Sequence, residues 1–257
     1  MNIEAIEKMY DQIIAKDYDR DEFNLLSESR NIVISQIRKN GSMVQVDTVL
    51  DLALGTGEIL LEIKKIFPNS KFYGIDISQK MMAIAKQKME INTFHDDAQN
   101  IGKYMQPNSI NLLIIHYILA YVNPGIIISE AVRLLQPGGL CSIATSTYDS
   151  FKTLQKLASK FLSPEALRAQ ANIPENSDTL KELLKIAGLE IIENIIFKKQ
   201  LEFSDLNQLY NWGINSSWLT QYFSSFTREQ WEMISATPDI FPIKDEFQST
   251  IILAKKI

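Results

Sequence analysis

One strand–turn–helix limits this chain more than any other feature. Residues 49–63 read VLDLALGTGEILLEI. The apolar run 46–53 predicts a buried strand, and 57–66 predicts a helix. Between them, Ala53-Leu54-Gly55-Thr56-Gly57 makes a turn of small residues that starts two positions after a carboxylate, Asp51. Glycines in such a turn let the backbone approach a ligand closely, and the helix that follows offers free N–H groups. In an open α/β sheet this geometry forms a binding crevice at the carboxyl ends of the strands.

The rest of the chain keeps the same rhythm. Further strands are predicted at 71–76, 91–95, 109–115 and 139–145, and helices at 79–90, 97–104 and 124–135. Short apolar strands alternating with helices imply a mostly parallel sheet covered on both faces. Two amphipathic helices, 3–17 and 24–39, precede it, and Pro137-Gly138-Gly139 turns one helix into the next strand. Past residue 146 the alternation breaks. Ser163-Pro164 reads as a helix start, 177–187 as a helix, and 189–203 and 249–257 as the last two strands. The segment between them, 204–245, is expected to be mostly helical, with a capping box at Thr227 and Gln230. It holds all three tryptophans, Trp212, Trp218 and Trp231.

Composition narrows the function classes. The chain has 257 residues, 46% of them apolar, enough for a sizeable core. A net charge of -5 and the lack of any Lys/Arg run argue against nucleic acid as a partner. The single cysteine, Cys141, rules out an internal disulfide or thiolate metal site and reads as a small core residue. The two histidines, His95 and His116, are not at metal-ligand spacing, so no metal is expected. The charged N-terminus lacks an apolar signal core and no segment has the apolar length of a membrane span, so a soluble cytoplasmic protein with no membrane partner is expected.

Two kinds of cofactor use a glycine turn after the first strand. A dinucleotide site calls for G-x-G-x-x-G, but Leu60 stands where the third glycine would be. Read instead as an acid followed by G-x-G-x-G, Asp51–Gly57 departs at one position, Ala53. Read that way, the stretch resembles motif I of the class I S-adenosylmethionine (SAM) methyltransferases. Further stretches resemble that family in order. They are MYDQIIAKDYD (9–19), FYGIDIS (72–78), FHDDAQNI (94–101), INLLIIHYILAYV (110–122) and LLQPGGLCSIA (134–144).

The resemblance implies a Rossmann-like, seven-stranded mostly parallel sheet. Its expected segments are an N-terminal helical cover (1–42), a SAM-binding core (43–146), a first insert with the end of the core (147–203), a helical lid (204–247) and a final strand (248–257). It also implies SAM as methyl donor and S-adenosyl-L-homocysteine as product. Cofactor contacts are expected from Tyr18, Asp51, Ala53, Gly55, Gly57, Asp76, Ile77, Met81, Asp97, Ala98 and His116. Asp51 either organises the loop or meets the methionyl ammonium. Asp76 can accept both ribose hydroxyls. Asp97 and Asp96 compete for the adenine amino group, and Ile77 and Met81 would flank the ring. Ala53 is tolerated if its φ is negative. His116, after the fourth strand, is either a general base or a packed histidine.

The acceptor is expected under 147–175 and 204–245, against Tyr117, Tyr121, Trp212, Trp218 and Tyr222. It would be a small, partly apolar molecule or an acyl thioester. The layout is loosely similar to the malonyl carrier-protein O-methyltransferases, in which an arginine meets the free carboxylate; Arg168 is the candidate here. Ala53 and Asn111, where the family often has Asp, leave open a SAM-binding protein without methyl transfer.

Overall fold

The computed structural model describes residues 3–168, 172–223 and 226–257. Its strands are β1 (Thr48–Leu52), β2 (Lys71–Asp76), β3 (Asn92–His95), β4 (Ile110–His116), β5 (Leu135–Ser146), β6 (Leu189–Phe203) and β7 (Ile243–Lys256). They form one seven-stranded sheet in the order β3-β2-β1-β4-β5-β7-β6. Strands β1 to β5 are parallel, and β7 runs antiparallel to both β5 and β6. This is the Rossmann-like α/β architecture. Strand order reverses between β1 and β4, so a crevice opens beyond their carboxyl ends.

Helices α1 (Ile3–Met9) and α2 (Leu25–Asn40) precede the sheet. Helices α3 (Glu58–Ile66), α4 (Gln79–Lys88) and α5 (Pro124–Leu134) follow β1, β2 and β4. Between β5 and β6 lie α6 (Lys152–Ala158), α7 (Pro164–Arg168) and α8 (Ser177–Ile186). Between β6 and β7 lie α9 (Leu206–Asn215), α10 (Thr220–Phe223) and α11 (Arg228–Ser235). Two separate apolar clusters fill the two faces of the sheet. One gathers Leu60 and Ile63 of α3 with Val33 and Ile37 of α2; the other gathers Ile127 and Ile128 of α5 with Leu180 and Leu184 of α8. Helix starts follow local chemistry. Ser78 Oγ accepts the Met81 N–H, Asn123 caps α5 ahead of Pro124, and Thr227 with Gln230 forms the expected capping box.

Four elements differ from the sequence-based expectation. The helix expected over 3–17 ends at Met9 and gives way to a wider π turn at Tyr10–Ile14. Tyr10, Asp11 and Asp19 all bond to other parts of the molecule, and those anchors override a continuous helix. The stretch 97–104 is a 3-10 turn, Ala98–Lys103, capped by Asp97. The Pro-Gly-Gly turn lies inside β5 as a bulge, where β4 pairing jumps from Leu135 to Leu140. Strand β7 begins at Ile243 rather than 249 because it pairs along the whole of β6, reaching Phe203.

Candidate active site

The glycine turn is held by backbone bonds. The N–H groups of Ala53 and Leu54 both donate to Ile75 O of β2, at 2.9 and 3.1 Å. To fold back that far, Ala53 takes φ +75°, Gly55 +55° and Gly57 +78°. The expected negative φ at Ala53 is therefore not what the turn adopts. Alanine carries the smallest side chain that pays a left-handed penalty, about 1–2 kcal/mol. The turn keeps its shape with this strain built in.

Asp76 closes the same corner. One carboxylate oxygen accepts the Gly55 N–H at 2.8 Å, and the other accepts the Ser78 N–H at 2.8 Å. Burial pushes its pKa up to about 6 against the pull of those two bonds. Asp51 is more deeply buried, at 1% exposure, and its Oδ1 has no hydrogen-bond partner among the described residues. Burial, then the charge of Asp76, raise its pKa well above the carboxylate range. No ion pair among the described residues neutralises either acid.

A cavity of about 720 Å³ opens at this corner. That volume suits a small-molecule site. Ala53, Gly55, Asp76, Ile77, Met81 and Ala98 wall one end, with Asp97 beside them. Asp97 caps the 3-10 turn through Gln99, whereas Asp96 turns to Asn100, Lys103 and Tyr104, whose bonds hold it far below the carboxylate range. Asp51 and Gly57 lie behind the wall rather than on it. Gly57 instead allows α3 to approach α4: a Cβ there would stand 3.0 Å from the Ala85 Cβ.

The N-terminal segment crosses over this end. Asp11 accepts from Ser78 Oγ and the Lys80 N–H. Asp19 accepts from Thr56 Oγ1 at 2.6 Å and pairs with Lys88 at 2.6 Å. Tyr10 and Tyr18 thereby reach the cavity wall, and the Tyr10 hydroxyl meets Ser217 Oγ of the lid at 3.2 Å.

The end of β4 supplies the middle of the wall. His116 Nε2 lies 3.0 Å from Ser142 Oγ. Burial, then Arg30, push the imidazole pKa down to about 3, so it is neutral at ordinary pH. Tyr117 takes φ +55°, its hydroxyl donates to Ser29 Oγ at 2.7 Å, and its ring meets Trp218 edge-on at 4.9 Å. A tyrosine in the left-handed region is strained, and such strain gathers at functional sites. Tyr121 also lines the cavity, and its ring stands edge-on to that of Tyr10 with centroids 6.1 Å apart.

At the far end, Trp212 and Trp218 are on the wall, but Tyr222 and Arg168 are not. Tyr222 is buried and donates to Thr147 O at 2.7 Å. Arg168 is exposed and pairs with Glu175 at 2.8 Å. None of the described residues of 147–175 reaches the wall, because α6 packs back on β7 through Asp245, which accepts the Thr153 and Leu154 N–H groups. Of the lid aromatics, Trp212 and Trp218 face the cavity, while Tyr222, Phe223, Phe226 and Trp231 pack together.

Sequence reasoning did not pick out Arg20, Asp21 and Glu22 of the cover, or Gln208, Asn211 and Gln221 of the lid, all on the wall. Gln208 and Trp212 are four apart on α9, a spacing that could have flagged the pair. Asn111 is remote from the site; its Oδ1 accepts the Asp47 and Thr48 N–H groups at the opposite end of β1. Among the described residues, no cluster of His, Cys, Asp and Glu could hold a metal ion. No helix among them is long and apolar enough to cross a membrane.

Comparisons with known proteins bear on the family and the fold. Residues 44–212 match the family model described as "Methyltransferase domain". A malonyl-[acyl-carrier protein] O-methyltransferase of Bacillus cytotoxicus is 20% identical over 168 residues, 65% of this chain and 59% of that protein. A demethylmenaquinone methyltransferase of Lactococcus lactis subsp. lactis is 24% identical over 75% of this chain and 85% of that protein. The chain thus spans about three fifths of the first of these relatives. Among solved structures, BH2331 of Bacillus halodurans C-125 superposes with a TM-score of 0.61 at 15% identity, covering 87% of this chain and 98% of that one. Geranyl diphosphate C-methyltransferase of Streptomyces coelicolor A3(2) gives a TM-score of 0.56 at 14% identity, covering 91% and 80%. At these identities the structures speak for the fold alone. The family model spans well over half of the sequence, and the chain belongs to the methyltransferase-domain family.

Proposed function

We propose that this protein transfers a methyl group from S-adenosyl-L-methionine to a small, partly apolar acceptor and releases S-adenosyl-L-homocysteine. The observation that carries this reading is a pair of buried acids, Asp51 and Asp76, set at the glycine turn with no ion pair to either among the described residues. A dinucleotide would bring a pyrophosphate anion toward them. SAM brings a sulfonium and an ammonium.

The wall residues fit that cofactor. Asp76 has lone pairs left for the ribose hydroxyls after its two backbone bonds. Ile77 and Met81 flank the adenine, and Asp97 with Ala98 meets its edge. Tyr18 covers the methionyl end, and Asp51 stands behind the wall at the start of the turn. Bound SAM supplies a methyl group activated by positive sulfur. The chain's own contribution is alignment and exclusion of water, and alignment by itself is worth roughly 7–11 kcal/mol. His116, with its pKa pushed down to about 3, suits a hydrogen-bonding wall group better than a proton acceptor.

The acceptor sits between the end of β4 and the lid, against Tyr117, Tyr121, Trp212 and Trp218. An acyl-thioester carboxylate draws its support from the malonyl-carrier relatives. Arg20, not Arg168, is the cation on the wall that would meet it. The departures that pointed to a SAM-binding protein without transfer lose their weight. Ala53 keeps the turn's shape, and Asn111 is a structural bond acceptor remote from the cavity.

Calorimetric titration with SAM, S-adenosyl-L-homocysteine and NAD tests the cofactor, and label transfer from methyl-labelled SAM across an acceptor panel tests the activity. Saturable SAM and S-adenosyl-L-homocysteine binding with labelled product is expected. Preference for NAD, or no SAM binding at millimolar concentration, would overturn the reading.

A further inference from the structure

Resting on that reading, we infer that the methyl acceptor is a neutral molecule bearing a carbonyl or hydroxyl oxygen, and that the side-chain amide of Gln221 donates a hydrogen bond to that oxygen.

Gln221 lies on α10 of the lid, is 3% exposed and lines the cavity. Its amide oxygen is already occupied: Ser146 Oγ donates to Gln221 Oε1 at 3.0 Å. Ser146 is the last residue of β5 and is itself buried. The neighbouring Tyr222 donates to Thr147 O at 2.7 Å, which ties α10 to the same strand end. These two bonds set the orientation of the amide and leave Nε2 as its free end. Among the described residues, Nε2 donates to no protein acceptor. A primary amide carries two N–H donors, and a buried donor without an acceptor is costly. A ligand oxygen in the cavity removes that cost.

The place is the acceptor end. Trp218, three residues before Gln221, lines the cavity with its ring edge-on to Tyr117. Ser146 lies two residues past Ala144, the β5 partner of His116, and so about 7 Å further toward the crevice.

The distribution of charge favours a neutral partner. Asp17, Arg20 and Glu22 of the wall are all solvent-exposed, and the half-buried Asp21 is spent on the Leu26 and Ser27 N–H groups, at 3.0 and 2.8 Å. The buried wall residues of the lid are Trp212, Ser217, Trp218 and Gln221, all neutral. His116 carries no charge at ordinary pH. An anion or a cation carried to Gln221 would exchange its hydration for neutral dipoles alone. A carbonyl or hydroxyl oxygen needs only a donor, which Nε2 offers, and the rings cover the apolar remainder.

The test compares three probes of one shape on protein saturated with S-adenosyl-L-homocysteine. Acetophenone carries a carbonyl, α-methylstyrene has a methylene in place of that oxygen, and benzoate has an anionic oxygen in place of the methyl group. In isotope-labelled protein, the side-chain NH2 resonances of Gln221, assigned through their loss in Gln221→Met, should move downfield with acetophenone and not with α-methylstyrene. Titration should show acetophenone binding about threefold to tenfold more tightly than α-methylstyrene, the range of one neutral hydrogen bond, and more tightly than benzoate. Gln221→Met keeps the length and removes the donor; it should erase the preference and leave S-adenosyl-L-homocysteine affinity unchanged. The wild-type comparison stands even if the variant fails to fold. Equal affinity for acetophenone and α-methylstyrene, binding of neither, tighter binding of benzoate, or a preference that survives Gln221→Met would overturn the inference. If S-adenosyl-L-homocysteine itself does not bind, the cofactor reading fails; if it binds and the probes do not differ, only the assignment of Gln221 fails.

Discussion

The two ends of the cavity are built by different physics. The cofactor end is made of backbone: Ala53, Leu54, Gly55 and Ser78 donate their N–H groups to Ile75 O and to the Asp76 carboxylate. The acceptor end is made of rings, with Trp212 packed on Phe23, Phe151 and Phe203, and Trp218 on Tyr117 and Phe247. A backbone cradle leaves few alternatives, because each lost bond strands a buried polar group. A ring-built wall can exchange one aromatic for another at modest cost. One cofactor with many acceptors is the outcome such a division favours.

Substitutions that separate the two ends should act in order of size. Asp76→Ala strands two N–H groups and removes the proposed ribose acceptor; SAM binding should weaken by about 1–3 kcal/mol in calorimetry, with a lower Tm. Unchanged SAM affinity would contradict the assignment. Trp212→Phe trims the lid wall without touching the turn. It should raise the acceptor KM by about threefold to tenfold, within the range for losing part of a pocket contact, and leave SAM affinity unmoved. A matching loss of SAM affinity would mean that the ends are not independent.

The pH response sharpens the comparison, because it resides at one end. The Asp76 carboxyl is protonated in the free protein below about 6. A bound cation favours the ionised form, so SAM affinity should rise as pH goes from 5 to 7 and then level off, and Asp76→Asn should lose that rise. Stability moves oppositely. A folded pKa of about 6 against an ordinary 3.8 means the folded state holds a proton that the unfolded chain releases, so this group's contribution falls as pH rises across that window. His116, about 3 against an ordinary 6.5, contributes a rise across an overlapping range, so the Tm difference between wild type and Asp76→Asn is the measurement to use. That difference should shift in favour of the variant from pH 4 to 6. The smallest effect belongs to Ala53→Gly. Release of the φ +75° strain should stabilise the protein by about 0.5–1 kcal/mol, net of glycine's added freedom when unfolded.

The core was legible because its strands are apolar, β-branched runs that alternate with amphipathic helices; β2 and β6 lie at the bounds read from the sequence, Lys71–Asp76 and Leu189–Phe203. The place of Asp76 was legible, because an acid that ends the strand about twenty residues past a glycine turn falls at the crevice, and it does lie on the cavity wall. What could not be read depends on contacts between distant residues. The φ of Ala53 is set by Ile75 O, on the neighbouring strand. Arg20, Asp21 and Glu22 reach the cavity because Thr56 and Lys88 hold Asp19. Arg168 looked suitable by charge, but its insert packs away from the cavity and Glu175 takes its guanidinium.

The central claim is that the corner formed by the 53–57 turn and Asp76 holds an adenosyl sulfonium. A crystal structure of the protein soaked with SAM tests it most directly. The account predicts ribose hydroxyls within hydrogen-bonding distance of Asp76, adenine between Ile77 and Met81, and the methyl group directed toward Tyr117 and Trp218. SAM bound elsewhere, or a corner that stays closed to SAM while admitting a dinucleotide, would contradict it.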